Sequence, residues 1–397
     1  MPTKPKLLII SFSPIRSDAR VLKQVRMAVG RYHVTTCGYG EAPDGVDQHI
    51  QVEYGKPSKL WDVLLEFKFY SRGYWMMPLI KRAKAALAGM RFDVILANEI
   101  EALPLALWLE PTCGVHADLH EYYPRMNEEH PPWAKRIGPW YYWLCQKYLP
   151  QARSSSAVVD VVAKEFSRNF GIEVRAIGNN TPFNDLEPTQ VHSPIRCVHS
   201  GTSNRERNIM ALVEAVIACP GYTLDLYLTK NDPAHLAELA VIAEKEARIT
   251  LHEPVPYDQL IKTLNEYDLG LHMLPPINYN FANTMPNKIF DFMQARLGAI
   301  VGPTPKGMAD VVRKADFGVV TEGFTAQDMI KVLQSLTPEQ ITAFKAAAHA
   351  GARDFSAERE VPKWDAALQE ILRQGGFPGA DKPDFLPPLP GAPAPKE

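Results

Sequence analysis

Four short stretches of this sequence set charged or hydrogen-bonding side chains where a helix or strand end could put them to chemical use. The first is Pro286-Asn287-Lys288-Ile289-Phe290-Asp291-Phe292-Met293. Proline suits a helix start, Asn287 and Lys288 fall in the first turn, and Asp291 follows about one turn later. A helix start offers unpaired N–H groups and the positive end of a dipole to an anion, and Lys288 adds a full charge. Asp291 could then accept hydrogen bonds from the vicinal hydroxyls of a ribose. The same run reads equally well as an ordinary amphipathic helix with Ile289, Phe290 and Phe292 in the core.

The second stretch is His199-Ser200-Gly201-Thr202-Ser203-Asn204-Arg205-Glu206-Arg207-Asn208-Ile209. A strand that runs into a glycine, then a basic loop, then a helix is a place for a diphosphate. Gly201 lets backbone approach closely, and Arg205 and Arg207 carry forks that match phosphate oxygens. Lys230, after the next strand, is a further phosphate candidate, with an exposed loop lysine as the alternative. The third, Asp118-Leu119-His120-Glu121, ends a strand. It has no second histidine at helical spacing and no CxxC or HExxH beside it, so the pattern argues against a metal site. The fourth, Ser11-Phe12-Ser13-Pro14-Ile15-Arg16, follows the first strand and places Arg16 near an acceptor or a phosphate; a solvated arginine is the equal alternative.

Alternating strands and helices must position these groups. Leu7–Ile10 is an apolar run suited to a strand buried on both faces, and Val21, Leu22, Val25, Ala28 and Val29 recur at helical spacing behind Asp18. Strands are predicted at His33–Tyr39, Asp93–Ala97, Val115–Asp118 and Ala157–Val162. The pattern restarts after residues 180–183, with strands at Ile195–Ser200, Thr223–Leu228, Ile249–Leu251, Gly270–Met273, Ala299–Val301 and Gly318–Val320. This is the signature of two α/β, doubly wound parallel-sheet units, whose ligands bind outside the carboxyl ends of the strands. The expected division is an N-terminal unit over 1–185, a second over 190–352, a crossing-back helix over 353–374, and a disordered proline- and glycine-rich tail over 375–397.

Composition narrows the partners. The chain has 397 residues, is 46% hydrophobic and 22% charged, and carries a formal net charge of -2. No whole-chain positive field favours nucleic acid. Five cysteines, an odd number without CxxC spacing, fit reduced buried thiols. With no export signal or membrane span visible, a cytoplasmic protein is expected. Two aromatic stretches, Leu60–Met77 and Pro131–Pro150, interleave with Lys68, Arg72, Lys135, Arg136 and Lys147, which suits peripheral docking at the inner face of an anionic membrane. Core packing with snorkelling cations is the alternative.

The run Pro286–Met293, with Gly298-Ala299-Ile300-Val301 behind it, resembles the donor-site signature of GT-B glycosyltransferases of the family-4 (group 1) type. The resemblance implies two Rossmann-like domains facing a central cleft. The implied reaction transfers a sugar from a nucleotide-diphosphate donor, UDP favoured over GDP, to a lipid-linked or polysaccharide acceptor. It implies retention of configuration and neither a metal nor a cofactor beyond the nucleotide sugar. By the same resemblance Asp291 holds the ribose, and His120 contacts the donor sugar with Glu121 beside it. Gly201, Arg205, Arg207, Lys230, Asn287 and Lys288 receive the diphosphate.

The chain departs from the family at three positions. Asn283 stands where many members have a sugar-facing glutamate, and it takes the second place beside His120 as an amide without charge. Thr202 and Asn208 stand where the matching loop has cations. A sugar-nucleotide 2-epimerase-like enzyme, or a degenerate GT-B protein acting as a binding partner, is the alternative reading.

Overall fold

The protein was analysed as a computed structural model that describes residues 4–389. The chain divides into two units, Met1–Gly178 with Glu360–Glu397, and Asn179–Arg359. Each is built on one parallel sheet.

In unit 1 the strands are β1 (Lys6–Pro14), β2 (His33–Tyr39), β3 (Gln48–Gln51), β4 (Val94–Asn98), β5 (Gly114–Leu119), β6 (Ser154–Ala157) and β7 (Arg175–Ala176). They lie in the order β3-β2-β1-β4-β5-β6-β7. The switch of direction beside β1 is where a doubly wound sheet opens its binding crevice. Leu7–Ile10 are fully buried, as an inner strand covered on both faces requires. Asp18 caps the helix Ala19–Ala28 by accepting from the backbone N–H groups of Arg20 and Val21.

The expected strand at Ala157–Val162 lies earlier, at Ser154–Ala157, and the helix Asp160–Phe170 follows it. Three consecutive serines read as loop in the sequence. Here their hydroxyls find partners inside: Ser154 and Ser156 bond the two ring nitrogens of His116 at 2.7 and 2.9 Å, and Ser156 donates to Asp118 at 2.5 Å.

Unit 2 holds β8 (Ile195–Thr202), β9 (Tyr222–Thr229), β10 (Ile249–His252), β11 (Leu269–His272), β12 (Gly298–Val301) and β13 (Gly318–Val320), in the order β10-β9-β8-β11-β12-β13. Residues 179–184 belong here rather than to unit 1 because their polar groups are tied to it. Asn180 Nδ2 donates to the Phe355 carbonyl at 3.1 Å, Thr181 Oγ1 to Asp291 at 2.6 Å, and Arg296 to the Asn184 carbonyl at 2.6 Å.

The helix Ala357–Gln374 contributes Trp364, Leu368, Ile371 and Leu372 to the core of unit 1. The expectation of disorder from residue 375 is corrected for 375–389. Phe385 is 8% exposed, Phe377, Leu386 and Leu389 pack on the same cluster, and Arg31 Nε donates to the Pro387 carbonyl at 2.6 Å. Proline and glycine gave the segment the composition of a solvated tail, but its spaced aromatic and aliphatic residues are enough to dock it. Residues 390–397 lie outside the described part. All five cysteines, Cys219 included, are buried and unbonded to one another. Among the described residues no helix is long and apolar enough to cross a membrane.

Candidate functional site

The carboxyl ends of β8 and β11 in unit 2 bring together two histidines, a lysine and an arginine. His199 and His272 are fully buried, with rings stacked 5.6 Å apart and 15° from parallel. His199 Nδ1 donates to the Leu271 carbonyl at 2.8 Å, which leaves Nε2 bare. Both nitrogens of His272 lack a hydrogen-bond partner among the described residues. Burial, with the nearby charge of Lys288, holds both rings far below the usual histidine range, His199 at about 3. They are neutral at physiological pH.

Lys288 is held directly over Gly201. Gly201 has φ +137, and a Cβ there would collide with the Lys288 Nζ and Cε. The glycine is needed for the conformation and for the close approach of the amine. Burial, followed by the charge of Arg207, brings the Lys288 amine down to about 8. Arg207 lies 4.9 Å over the Phe281 ring, and its charge is felt by both histidines as well as by Lys288. Two cations that disfavour one another, Lys288 and Arg207, converge at this strand end, with Asp291 partly offsetting Lys288, an arrangement that suits an anion.

The remaining unit 2 candidates divide. Asn287 lies at the start of the two-turn helix Lys288–Gln294, and its side chain makes no capping bond. Asp291 is nearly buried, and its Oδ1 accepts from Thr181 at 2.6 Å. Asn283 turns its amide nitrogen back onto the Tyr279 carbonyl at 2.8 Å. Two of the predicted cations are engaged elsewhere in this structure. Arg205 forms a two-pronged pair with Glu238 at 2.8 and 2.6 Å on the surface. Lys230 pairs with Glu253 at 3.0 Å with both side chains mostly exposed. Carboxylates that the sequence places far from these cations satisfy them away from His199 and Lys288.

In unit 1, β4 and β5 end side by side, and their last residues form a buried ladder of charge. Arg20 grips Asp118 with two bonds of 2.7 Å and lies 4.6 Å over the Trp364 ring. Gln24 donates to the same carboxylate at 2.7 Å and accepts from Asn98 at 2.8 Å. Asp118 is fully buried, and its oxygens receive Arg20, Gln24 and Ser156. With its oxygens taken up by these partners, it braces the ends of β4 and β5 from below.

His120 stands above it. Nδ1 lies 2.9 Å from Glu99, and Nε2 lies 3.2 Å from the Asn98 side-chain oxygen and 3.6 Å from Asp118. Burial would make His120 less basic, but the charge of Glu99 and the bonds to Asp118 and Glu99 outweigh it, so its pKa is raised and the ring is an imidazolium. Both its nitrogens are occupied within the protein. Glu121 follows it, half-buried, close enough for its charge to reach Glu99. Arg16 is corrected: it pairs with Glu41 at 2.6 Å, both well exposed.

Two carboxylates beside His120 went unread in the sequence. Glu99 and Glu101 follow β4 directly, the same strand-end signal that singled out His120. Glu99 adopts φ 74, uncommon for a residue with a side chain. Burial raises both carboxyl groups above the usual range. Tyr141 donates to Glu101 at 2.5 Å.

No protein-family model matches this sequence, and a search of curated proteins returns no match. Solved structures do match. Sucrose-phosphate synthase from Thermosynechococcus elongatus superposes with a TM-score of 0.68 at 14% identity, over 93% of this chain and 99% of that one. A protein assigned as a UDP-N-acetylglucosamine 2-epimerase from Listeria monocytogenes gives 0.58 at 12%, over 94% and 98%. TarM gives 0.58 at 12%, over 72% of this chain and 57% of that one. At these identities the likeness establishes architecture, and the two parallel-sheet α/β units of this chain have the GT-B fold.

Proposed function

We propose that the protein is a glycosyltransferase that moves a sugar from a nucleotide-diphosphate donor to a glycan acceptor. The observation that carries the reading is Lys288 seated over Gly201, with Arg207 and the neutral His199–His272 pair around it. A diphosphate would bring negative charge to Lys288 and Arg207 and accept from the one N–H of the neutral His272 ring. As the bond to the donor sugar breaks, charge grows on the departing diphosphate, and Lys288 and Arg207 stabilise that charge without a resident metal. UDP is the favoured nucleotide, by similarity to the protein assigned as a UDP-N-acetylglucosamine 2-epimerase from Listeria monocytogenes. Transfer proceeds with retention, as the resemblance of the Pro286–Met293 run implies.

The pair Glu99 and Glu101 beside His120 favours a second reading, a sugar-nucleotide 2-epimerase, which needs carboxylates and a histidine to move a proton. Calorimetry with UDP, GDP and their sugars, followed by turnover assays, separates the two. The transferase reading expects UDP to bind, with sugar consumed productively only when an acceptor is supplied. Conversion of a UDP-sugar to its epimer without an acceptor sinks it in favour of the epimerase. No nucleotide binding at all points to a non-catalytic partner.

A membrane-presented acceptor requires a docking surface on unit 1, and one exposed aromatic stretch is available for it. Trp140 is buried and Trp61 is turned inward against it, whereas Phe67 and Phe69 stand 68% and 60% exposed on either side of Lys68, next to exposed Leu60 and Val63 on the helix Lys59–Glu66. We therefore place membrane contact at this tip. The protein is expected to pellet with anionic liposomes at low salt and to be released as salt rises, and Phe67→Ser with Phe69→Ser to abolish pelleting. No pelleting at low salt ends the membrane reading.

A further inference from the structure

Unit 1 encloses a cavity of about 440 Å³ that the phosphate chemistry does not use. Its walls are aromatic. Trp61 meets Trp140 edge-on with centroids 5.6 Å apart, and Trp133 stacks with Tyr141 at 6.0 Å. Glu99, Glu101 and His120 line it, and Asp18 adds a third carboxylate. No lysine or arginine is among its lining residues. From the two aromatic stretches that read as interfacial in the sequence, Trp61, Trp133, Trp140 and Tyr141 line this chamber.

The lining selects by charge and by shape. The one imidazolium is already paired with Glu99 and no lysine or arginine faces the space, so a phosphate or carboxylate entering it finds no free counter-charge. The carboxylates are acceptors with capacity left over. Glu101 receives one strong bond, from Tyr141, and Glu99 receives His120 on Oε1, with a long 3.4 Å contact from the His120 backbone on Oε2. Each carboxylate can accept about four hydrogen bonds. Flat rings beside unsatisfied carboxylate oxygens match a ligand with one apolar face and a rim of hydroxyl donors. The volume lies within the usual range for small-molecule sites. The unusual backbone at Glu99 turns its carboxylate toward His120 and the cavity, a local strain of the kind kept at binding sites.

We propose that this cavity is the acceptor subsite and that it takes a neutral saccharide, one bearing no phosphate or carboxylate on the ring that enters, with its hydroxyls donating to Glu99 and Glu101 and an apolar face on the aromatic wall. The assignment of the ligand as an acceptor rests on the glycosyltransferase reading, whereas its chemical class rests on the cavity alone.

Three tryptophans line the chamber, so intrinsic fluorescence of the full chain reports occupancy. The titrants are methyl glycosides of glucose, galactose, mannose and N-acetylglucosamine, with glucose 6-phosphate and choline as charged comparators. At least one neutral glycoside is expected to give a saturable change, at least tenfold tighter than glucose 6-phosphate and choline. Glu101→Gln, which keeps the side chain's shape, is expected to weaken it by about tenfold while circular dichroism stays unchanged. Equal or tighter binding of the phosphate, binding of choline alone, or no response to any glycoside overturns the proposal. Uridine diphosphate calorimetry on the same preparation keeps the two readings apart. Nucleotide binding without a glycoside response defeats this proposal and spares the transferase. A glycoside response without nucleotide binding supports the cavity's chemical class and defeats the transferase.

Discussion

Lys288→Ala will weaken binding of uridine diphosphate by about 10- to 100-fold, the equivalent of the roughly 1.5–3 kcal/mol that a hydrogen bond to a charged group contributes, and will raise the melting temperature of the ligand-free protein. The two effects share one cause. Burial and the charge of Arg207 bring the amine down to about 8. Folding therefore disfavours the protonated lysine. That penalty is fully present below about pH 8, fades as pH rises toward the unfolded value, and is absent above it.

Removing the side chain removes the penalty, so the melting temperature at pH 7 should rise by about 2–4 °C, the shift expected for 1 kcal/mol in a unit of this size. A diphosphate reverses the balance by giving Lys288 a counter-charge. In the parent protein, affinity should therefore fall as pH rises through 8, and in Lys288→Ala that component of the pH dependence should vanish. Calorimetry at pH 7 and 9 and a thermal melt check both halves. Unchanged affinity would take Lys288 out of the site, and a lower melting temperature would make its role structural. Gly201→Ala offers an independent route to the same loss, because the new methyl group must displace the lysine.

Much of this site could be read in the sequence, and the limits have physical causes. Strand ends, helix starts and a glycine before a basic loop are local signals, so Gly201, Lys288, Arg207 and His120 are singled out by their neighbours along the chain, and the structure sets the first three close together at one strand end. Whether a cation is available is not local. Arg205 and Lys230 had the right types at the right spacing, but Glu238 and Glu253, more than twenty residues further along, claim them. Asp118 failed in the same way: its partners Arg20 and Gln24 are 98 and 94 residues distant. Burial also hides from sequence. Nothing in the residues around Glu99 and Glu101 signals burial; the aromatic helix Pro131–Tyr148, whose Tyr141 bonds Glu101, makes them interior carboxylates. The fold itself was legible nearly strand by strand, because inner parallel strands are continuous apolar runs. The misplaced β6 is polar because its serines satisfy His116 and Asp118.

Asp118→Ala should be the most damaging single change in unit 1, costing about 3–5 kcal/mol, the range for breaking a buried ion pair by removing one partner. The loss is large because Arg20 remains, 2% exposed, with its guanidinium stacked on Trp364 and unable to reach water. Gln24, Ser156 and His120 lose their acceptor in the same step. Against the 5–15 kcal/mol that holds a typical domain, this is a severe loss. Burial on its own would raise the Asp118 carboxyl, yet the Arg20 charge and its bonds hold it well below the usual aspartate range. Its stabilising contribution is therefore present above the unfolded value near 3.8 and is lost as pH falls below that, toward the depressed folded value. Asp118→Asn keeps the shape and should lose less at pH 7 while removing that acid dependence. Replacing the pair together, Arg20→Met with Asp118→Leu, should recover much of the stability, since two apolar groups leave no buried charge behind. It should not recover glycoside binding, because His120 and Glu99 are positioned through Asp118 and Asn98. Urea unfolding followed by hydrogen exchange in unit 1, beside the fluorescence titration, measures both. A double variant that binds glycoside normally would show that the ladder beneath His120 supports the fold and nothing more.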